Sequence, residues 1–515
     1  MTKNVYLDEV EKNLPRILSL IDIDSTSQTY GMADRYYWAW GLIDFGNASF
    51  QGIAHGLARL WCNGLWPFKT SNEVFLSRIN ALFLGAKKLT HVDGSLEEAF
   101  PNEGSYCVTA LVAFDLLCTI ELLEKKVDQE TLGSWIQVVE PMIHFLKRAD
   151  ETHGLISNHL ATAVAALFRW EKIAHDTQAS QKAHELLDRI LKNQSIEGWF
   201  REYDGFDPGY QTLCTYYLAD VNLQRPDLGL NKRLVKSLEF MSHFAHPDGS
   251  FGGLYGSRNT RFYYPAGCLA LMIEGHQSEF LVNKMEKSIE LKNVVTLSGI
   301  DEPNLVPMFN SYCWAATIKD VKKEKLKKKE IANKEIYRIH FKEAGIIIDS
   351  GKNHYTIIST HKGGVVYHYV NGKNSLIDGG VVLRNKKNKL GSTQSFNANN
   401  LLIIEGDKIQ VSAEIVSMPK GVQNPYKFIC LRLLCITLFK SRALREVAKL
   451  ILVRMLITSK DKWEVVNKRT IILGEKLKLT NNFIKPNDYE VLKTPGYFIA
   501  IHMASKGYWQ AQDEE

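Results

Sequence analysis

Asn158 and His159 are the residues whose types and positions in this sequence most directly suggest chemistry. They follow Ser157, which can cap a helix whose apolar stripe runs through residues 160–168. The unpaired N–H groups and the positive dipole end of a helix N-terminus favour an anion, and an Asn amide beside them can bind a carboxylate. We therefore predict a pocket for the carboxylate of an acidic sugar. The alternative is that Asn158 only caps the helix and that His159 packs against a neighbouring hairpin.

A tyrosine and two arginines extend this candidate site. Asp207, followed by a proline, is typical of an N-cap and places Tyr210 in the first turn of the next inner helix. Arg258 and Arg261 lie on either side of Asn259 in a loop led by glycine, where two fixed cations could bind sugar carboxylates or sulfates bidentately. We predict that this loop binds substrate. Tyr210 could instead be a core aromatic, and the arginines could form a surface ion pair.

Three aromatic rings and one histidine complete the set of candidates. Trp40, Trp199 and Tyr203 could stack on or bind sugar rings. His361 lies in a polar segment of the second domain that could face the cleft of the first domain, or it could be an exposed residue at a strand end. The histidines on predicted loops have no acid or cysteine at metal-ligand spacing, so we predict no metal site and no cofactor.

A weak internal repeat must position these residues. A polar loop containing glycine, an aromatic-rich helix start and an apolar helix recur every 44 to 60 residues, with copies beginning near Gly41, Asp93, His153, Glu197 and Asp248. Amphipathic helices lie between the copies, so each unit is a helical hairpin. Such a hairpin buries its apolar face only by stacking on others, in an open solenoid or a closed ring, with the loops gathered on one rim. We predict an α/α toroid over residues 1–318.

The remainder of the chain has a different pattern. Residues 319–334 are rich in lysine and indicate a solvated linker. From residue 335 to 515 apolar residues alternate with period two between turn signals, which predicts an antiparallel β-sandwich domain. A basic helical insertion at residues 425–460 interrupts this domain. The predicted fold class is therefore α+β, with the toroid first.

Charge and the N-terminal residues suggest a location. The net charge of the 515-residue chain is +6, and nine basic residues against two acids give the segment from Lys427 to Lys462 a charge of +7. The chain starts without a secretory signal pattern, so we expect a cytoplasmic protein, peripheral on the inner membrane if the insertion lies on an anionic bilayer. The alternative is that the insertion packs on the toroid as a helical hairpin.

With these residues assembled, the chain resembles the heparinase II/III-like proteins, relatives of polysaccharide lyases and uronate epimerases. The resemblance rests on HGLISNHLATAVAAL, on EGWFREYDGFDPGYQTLCTYYL and on a strand pair around KRTIILGEKLKLTNN. It implies that Asn158 neutralises a uronate carboxylate, that Tyr210 serves as base or acid and that His159 assists. The implied partner is an acidic polysaccharide, such as a glycosaminoglycan. The basic insertion adds the hypothesis of a lipid-linked glycan as substrate, and we expect no nucleic acid partner.

The implied chemistry begins with removal of the C5 proton of a uronate. That proton is weakly acidic until the developing enolate-like charge is held, and Arg258 or Arg261 could favour the Tyr210 phenolate. Loss of the leaving oxygen makes a lyase, which we rank first, whereas return of the proton on the opposite face makes a C5-epimerase in capsule or O-antigen biosynthesis.

Two other classes of protein stay open. A glycoside hydrolase would need two carboxylates roughly 5 to 10 Å apart, for which Glu103, Glu202 and Asp204 are candidates. A non-catalytic glycan-binding protein would use aromatic stacking without any proton transfer.

Overall fold

The computed structural model describes residues 4–151, 155–203, 205–272, 276–322, 336–418, 424–453, 461–484 and 489–492. Most of the predicted lysine-rich linker lies outside these residues. The N-terminal part is helical, and its α-helices are α1 (Val5–Leu18), α2 (Ile53–Cys62), α3 (Asn72–Leu89), α4 (Tyr106–Leu123), α5 (Gln129–Arg148), α6 (Ser157–Ala174), α7 (Thr177–Lys192), α8 (Pro208–Gln224), α9 (Asn231–Ser242), α10 (Pro265–Leu271), α11 (His276–Leu291) and α12 (Glu302–Lys322).

The even-numbered helices form a closed inner ring. Helices α2, α4, α6, α8, α10 and α12 pack against one another in this order, and α12 packs against α2. Two hydrogen bonds join these last two helices: the Gly56 N–H donates to Asn310 Oδ1 at 2.9 Å, and Asn310 Nδ2 donates to the Gly52 carbonyl at 2.9 Å. The odd-numbered helices lie outside the ring. The prediction of an α/α toroid is confirmed.

The ring has one more hairpin than the sequence repeat indicates. The predicted copies contain α2, α4, α6, α8 and α10 as their inner helices. The additional inner helix is α12, and the outer helix α1, which packs against α12 and α11, comes from the start of the chain. The sixth hairpin therefore pairs α12, at the end of the toroid sequence, with α1, at its start. A repeat between adjacent copies does not reveal a hairpin whose two helices are so far apart in sequence.

Burial explains why some helices lie inside the ring and others outside. Helix α4 is apolar on all sides and almost entirely buried, which makes it long and apolar enough to cross a membrane by composition, yet 83% of that stretch is buried inside the toroid. Helix α7 buries only one stripe, formed by Ala179, Ala183, Leu186, Leu187 and Ile190. An all-round apolar surface requires neighbours on every side, whereas a single stripe leaves the other face to solvent.

The C-terminal part is an antiparallel β-sandwich, as predicted. One sheet has the order β1-β2-β3-β4-β5, and the other has the order β11-β10-β9-β7-β6-β12, with β8 also paired to β9. The strands are β1 (Tyr337–Phe341), β2 (Ile346–Ser350), β3 (His354–Ser359), β4 (Val365–Val370), β5 (Lys373–Asp378), β6 (Val382–Asn385), β7 (Leu390–Ser392), β8 (Leu401–Glu405), β9 (Lys408–Ser417), β10 (Lys462–Ile472), β11 (Lys478–Ile484) and β12 (Tyr489–Val491).

The first sheet is buried on both of its faces. In the register of β2 and β3, Ile348 is opposite Ile357, and both join the toroid core. Their neighbours Ile347 and Ile358 are opposite each other and pack against the second sheet. Because successive side chains of a strand point to opposite faces, a strand between two packed layers must be apolar at every position. The run of three isoleucines in β2 thus places this sheet between the toroid and the outer sheet.

Polar contacts also join the two parts. The Leu254 N–H donates to the Tyr367 hydroxyl at 3.0 Å, and the Tyr355 hydroxyl donates to the His243 carbonyl at 2.6 Å. The described part of the basic insertion contains the helices α13 (Pro425–Ile436) and α14 (Arg442–Val453), which lie beside the toroid. The helical character predicted for the insertion is present in these residues, and residues 454–460 lie outside the described range.

Candidate active site

Asn158 lies in the first turn of α6 and is hydrogen-bonded to Glu202. Its Nδ2 donates to Glu202 Oε2 at 2.7 Å, and both side chains are buried. The N-cap of α6 is Ile156 rather than Ser157, so the prediction of a Ser157 cap is wrong. Ser157 is the first helical residue, and its hydroxyl donates to the Arg201 carbonyl at 2.7 Å. This bond ties the start of α6 to the loop before α8 and brings Asn158 and Glu202 together.

The Glu202 carboxyl is poised to exchange a proton near neutral pH. Burial raises the pKa of Glu202 to about 7 and Asp207 acts in the same direction, whereas Arg258, His159 and the Asn158 hydrogen bond act to lower it. A carboxyl with a pKa near the working pH is suited to general acid or base catalysis. From the sequence, Glu202 was a candidate only as a carboxylate for hydrolysis, because its contact with Asn158 spans 44 residues and has no local signal.

His159 is paired with Glu151. Its Nδ1 lies 2.7 Å from Glu151 Oε2, and 22% of the histidine side chain is exposed. Burial would lower the pKa of His159, but Cys107 and Glu151 raise it well above its usual value. The neighbouring groups thus favour the protonated imidazole over the neutral one.

Tyr210 occupies the first turn of α8, as the Asp207 cap predicts. The Tyr210 N–H donates to Asp207 Oδ1 at 3.1 Å. The Tyr210 hydroxyl is buried and has no hydrogen-bond partner among the described residues. Burial raises the pKa of Tyr210 although Arg258 acts to lower it. The expected stabilisation of the phenolate by a neighbouring arginine is outweighed by desolvation of that anion, so Tyr210 is a neutral proton donor in the free protein.

Arg258 lies over two tyrosine rings. Its guanidinium carbon is 5.5 Å from the ring centroid of Tyr210 and 4.6 Å from that of Tyr203. Tyr203 is half-buried and has a left-handed backbone, with φ of +57°, and its N–H donates to the Leu155 carbonyl at 3.2 Å. Such a conformation costs energy in a residue with a side chain and persists where the surrounding contacts hold it. The contacts place one cation and one half-buried tyrosine at the edge of the cluster.

Asp207 organises the loop that carries Arg258. Besides capping α8, its carboxylate accepts from the Arg258 N–H at 3.0 Å and from the Thr260 hydroxyl. The same Thr260 oxygen accepts from the Gly209 N–H at 2.9 Å, and a side chain at Gly209 would collide with it. From the β-domain, the buried Lys362 donates to the Gly256 carbonyl at 2.8 Å. One capping residue and one lysine thus fix the position of Arg258.

The other loop residues predicted to bind substrate do not join this cluster in the described contacts. Trp199 is only 8% exposed, donates its indole N–H to Glu197 at 3.1 Å and packs on Phe206, so it is a core residue and is not available to stack on a sugar. Trp40 is 68% exposed and ends a π-helical turn at Tyr36–Trp40. It remains able to stack on a sugar, although no described contact links it to Asn158.

Arg261 and Asn259 point to different environments from that of Arg258. Arg261 acts to lower the pKa of His246 and that of Tyr369. It therefore lies on the side of the loop that meets the β-domain. Asn259 is buried and has a positive φ of 55°. This conformation, which Asn tolerates better than most residues, turns the loop so that the two arginines diverge. The predicted pair of cooperating cations therefore reduces to Arg258.

His361 lies at the β-domain side of the rim. Its ring packs edge-on against Phe396 at 5.2 Å, and a side chain at Gly205 would meet the same Phe396. Burial lowers the pKa of His361, and its Nδ1 has no hydrogen-bond partner among the described residues. The histidine is thus separated from the loop of Glu202 by one aromatic ring, and no described contact brings it to Asn158 or Tyr210.

Further carboxylates lie on the loop before α4. Glu103 Oε2 accepts from the N–H groups of Glu98 and Ala99 at 3.0 and 2.7 Å, so it stabilises its own loop. Burial and the neighbouring Glu103 raise the pKa of Glu98 to about 7. Asp204, the other predicted hydrolase candidate, lies outside the described residues. Among the described residues no group of three or more His, Cys, Asp or Glu side chains could hold a metal ion.

A known family matches the part of the chain that contains this site. Residues 68–282 match the model of the ulvan lyase N-terminal domain, and this range includes Asn158, Glu202, Tyr210 and Arg258. No curated protein matches the chain.

Solved structures with similar folds include lyases and an epimerase. The chondroitin AC lyase of Streptomyces coelicolor A3 is 11% identical with a TM-score of 0.49, covering 81% of this chain and 66% of that chain. A Paenibacillus xanthan lyase is 9% identical with a TM-score of 0.49, covering 80% and 45%. The cellobiose 2-epimerase of Bacillus thermoamylovorans B4167 is 12% identical with a TM-score of 0.44, covering 62% and 100%.

These TM-scores are below 0.5, so the structural likenesses carry no inference about activity. The family match is independent of them and supports an enzyme. The chain is thus similar, over residues 68–282, to the N-terminal domain of ulvan lyases, which supports a polysaccharide lyase without singling out the heparinase II/III-like family that the sequence resembles.

Proposed function

We propose that the protein is a polysaccharide lyase that cleaves a uronate-containing polymer by β-elimination. The observation that carries the proposal is the buried Tyr210 hydroxyl, which has no partner among the described residues and lies under Arg258, in the same cluster as the Asn158–Glu202 pair. A buried polar group without a partner is costly, and because Arg258 and Glu202 lie beside the Tyr210 hydroxyl, we infer that a bound ligand supplies its missing hydrogen bond. The ulvan lyase match over the same residues supports this reading.

The uronate carboxylate would bind between Asn158 and Arg258. The Asn158 amide has two N–H groups, and Glu202 occupies one of them. Arg258 supplies a fixed positive charge, and His159 lies close enough to Glu202 to lower the pKa of that carboxyl. These groups stabilise the charge that develops on the carboxylate when the C5 proton leaves, because their positions are set before the reaction.

Glu202 would act as the base and Tyr210 as the acid. The ionised Glu202 carboxylate takes the C5 proton, the electron pair forms the C4–C5 double bond, and the C4–O bond breaks. Tyr210 donates its proton to the leaving oxygen. Negative charge thus moves from Glu202 through the sugar to Tyr210, and water restores both protonation states after product release. The pKa of Glu202 near neutrality and the raised pKa of Tyr210 suit these separate roles.

Incubation in deuterated water tests the reaction. The protein is mixed with ulvan and with several uronate-containing polysaccharides, and both the ultraviolet absorbance of unsaturated uronate and deuterium at C5 are followed. Absorbance that grows with time is the expected result. Deuterium at C5 without absorbance would instead show an epimerase, and new reducing ends without either signal would show a hydrolase.

A further inference from the structure

The two helices of the basic insertion leave a broad apolar face uncovered. In α13 the exposed large side chains recur along one face at Tyr426, Ile429, Leu433 and Ile436, and Phe428 and Leu434 are exposed beside them. In α14 they are Leu444, Val447, Leu450 and Ile451, and Leu438 lies exposed between the helices. Single exposed hydrophobic residues are ordinary, but eleven on two short helices and the turn between them mark a binding surface. We call these eleven residues the apolar face.

The opposite side of the insertion is fixed on the toroid. Arg432 pairs with Asp44 at 2.9 Å, and the buried Arg445 guanidinium bonds Asp93 at 3.3 Å and the Asn102 carbonyl at 3.2 Å. Phe439 is buried and packs on Phe100. These contacts hold the polar and aromatic groups of the insertion against the ring. The apolar face therefore points away from the protein in the described part of the chain.

The charges around the apolar face select the kind of partner. Of the nine basic residues between Lys427 and Lys462, Arg432, Arg442 and Arg445 bind the toroid, whereas Lys427 and Lys440 are exposed at the ends of the two helices. Amphipathic helices with apolar side chains on one face and basic residues around them bind the interface of anionic bilayers. A second copy of the chain would bring the same positive charge, which disfavours self-association through this face.

We infer that the apolar face docks the protein on an anionic membrane surface. The lysines meet the lipid headgroups, and the apolar side chains enter the boundary between headgroups and acyl chains. The contacts at Asp93, Phe100 and Asn102 lie on the loop that also carries Glu98 and precedes α4, on the same rim as the candidate site. If the site acts as proposed, this docking would place it beside glycans attached to membrane lipids.

Vesicle sedimentation of the full-length protein tests the docking independently of any enzymatic activity. Vesicles of phosphatidylglycerol and phosphatidylethanolamine are compared with vesicles of phosphatidylcholine. The variants are Ile429→Ser with Val447→Ser, which reduces the apolar face, and Lys427→Glu with Lys440→Glu, which reverses two charges. Ile23→Ser with Leu291→Ser is the matched control, because both side chains are exposed and lie outside the insertion.

The expected result is binding to the anionic vesicles that is at least about tenfold weaker for each insertion variant, with the control unchanged. Binding to phosphatidylcholine should be weak, and added salt should weaken the anionic binding. All four substituted side chains of the insertion are exposed, so the variants should melt at the wild-type temperature. Failure of the wild type to bind anionic vesicles, or equal binding by the apolar variant, would overturn the inference. So would a wild-type dimer that the apolar variant dissociates, because the face would then belong to a second copy.

Discussion

The guanidinium of Arg258 lies 5.5 Å from the ring centroid of Tyr210, whose hydroxyl has no hydrogen-bond partner among the described residues. The two residues come from different hairpins of the toroid, and Asp207 joins them by capping the helix of Tyr210 and accepting from the Arg258 N–H. A cation over the ring does not overcome the desolvation that raises the pKa of Tyr210. The arrangement therefore holds a neutral tyrosine ready to donate a proton, next to a carboxyl that can accept one.

Glu202→Gln should lower kcat by roughly 100- to 10,000-fold, because glutamine keeps the hydrogen bond to Asn158 but accepts no proton. In the wild type, the ionisation of Glu202, with a pKa of about 7, should set the acid limb of the plot of kcat/KM against pH. This limb should be absent from any residual activity of the variant. Glu103→Gln is the control, since Glu103 bonds its own loop. Retained activity with a shifted alkaline limb would mean that Glu202 works as a protonated hydrogen-bond donor rather than as the base.

The same substitution should change how stability depends on pH. Burial and Asp207 raise the folded-state pKa of Glu202 to about 7, and the opposing effects of its other neighbours are smaller. Between the ordinary pKa of Glu and pH 7, the folded protein therefore holds a proton that the unfolded chain releases. Stability from this group is therefore full below the ordinary pKa of Glu and falls as pH rises toward 7, by up to about 3 kcal/mol. Urea unfolding at pH 5 and pH 8 should show a smaller difference in Glu202→Gln than in the wild type. An equal difference in both proteins would contradict the assigned pKa.

Asp207→Ala should lower both stability and activity. Loss of the cap and of two buried hydrogen bonds should reduce the free energy of unfolding by about 2 to 4 kcal/mol, and the freed Arg258 loop should reduce kcat/KM. Asp128→Ala is the matched control, because Asp128 only caps the outer helix α5, accepting from the Thr131 N–H at 2.7 Å. It should lower the free energy of unfolding less than Asp207→Ala does and leave kcat/KM unchanged. If Asp207→Ala unfolds more easily yet keeps its kcat/KM, the cap does not position Arg258.

Arg258→Lys should reduce kcat/KM by roughly tenfold or more, because lysine keeps the charge but loses the planar, bidentate donor. Arg261→Lys should stay close to wild type, since Arg261 acts on the environment of His246 and Tyr369. Steady-state kinetics on the same polymer compare the two variants. A similar loss of kcat/KM in both variants would show that Arg258 and Arg261 act together on the substrate, as the sequence suggested.

The sequence predicted correctly those structural features that are determined by residues close together in the chain. The Asp207 cap identified the start of α8 and the place of Tyr210, and period-two alternation identified the β-domain. The sequence also indicated stacked hairpins, because one-sided and all-round apolar helices differ in composition. The Ser157 cap failed because the Arg201 carbonyl, distant in sequence, accepts its hydroxyl.

Contacts between distant segments explain what the sequence did not reveal. The sixth hairpin pairs α12 with α1 from the start of the chain, and this pairing cannot be seen in a repeat between adjacent segments. Glu202 joins the site because Asn158 is hydrogen-bonded to it in the folded chain. Trp199 is buried in the core because it is hydrogen-bonded to Glu197 and packs on Phe206. Residue type suggested a functional role for Asn158, for Glu202 and for Trp199, but only the packing separates a buried carboxyl in a site from an aromatic ring in the core.

The most direct test of the proposed function compares Tyr210→Phe with Tyr216→Phe. Both hydroxyls are buried on α8 without a partner among the described residues, but Tyr216 packs on Phe114 and Trp314, away from Arg258. Release of unsaturated uronate from a polymer that the wild type cleaves is measured for both variants. We expect Tyr210→Phe to lose at least about 100-fold in kcat and Tyr216→Phe to keep wild-type turnover. Equal turnover in the two variants would contradict the assignment of Tyr210 as the proton donor.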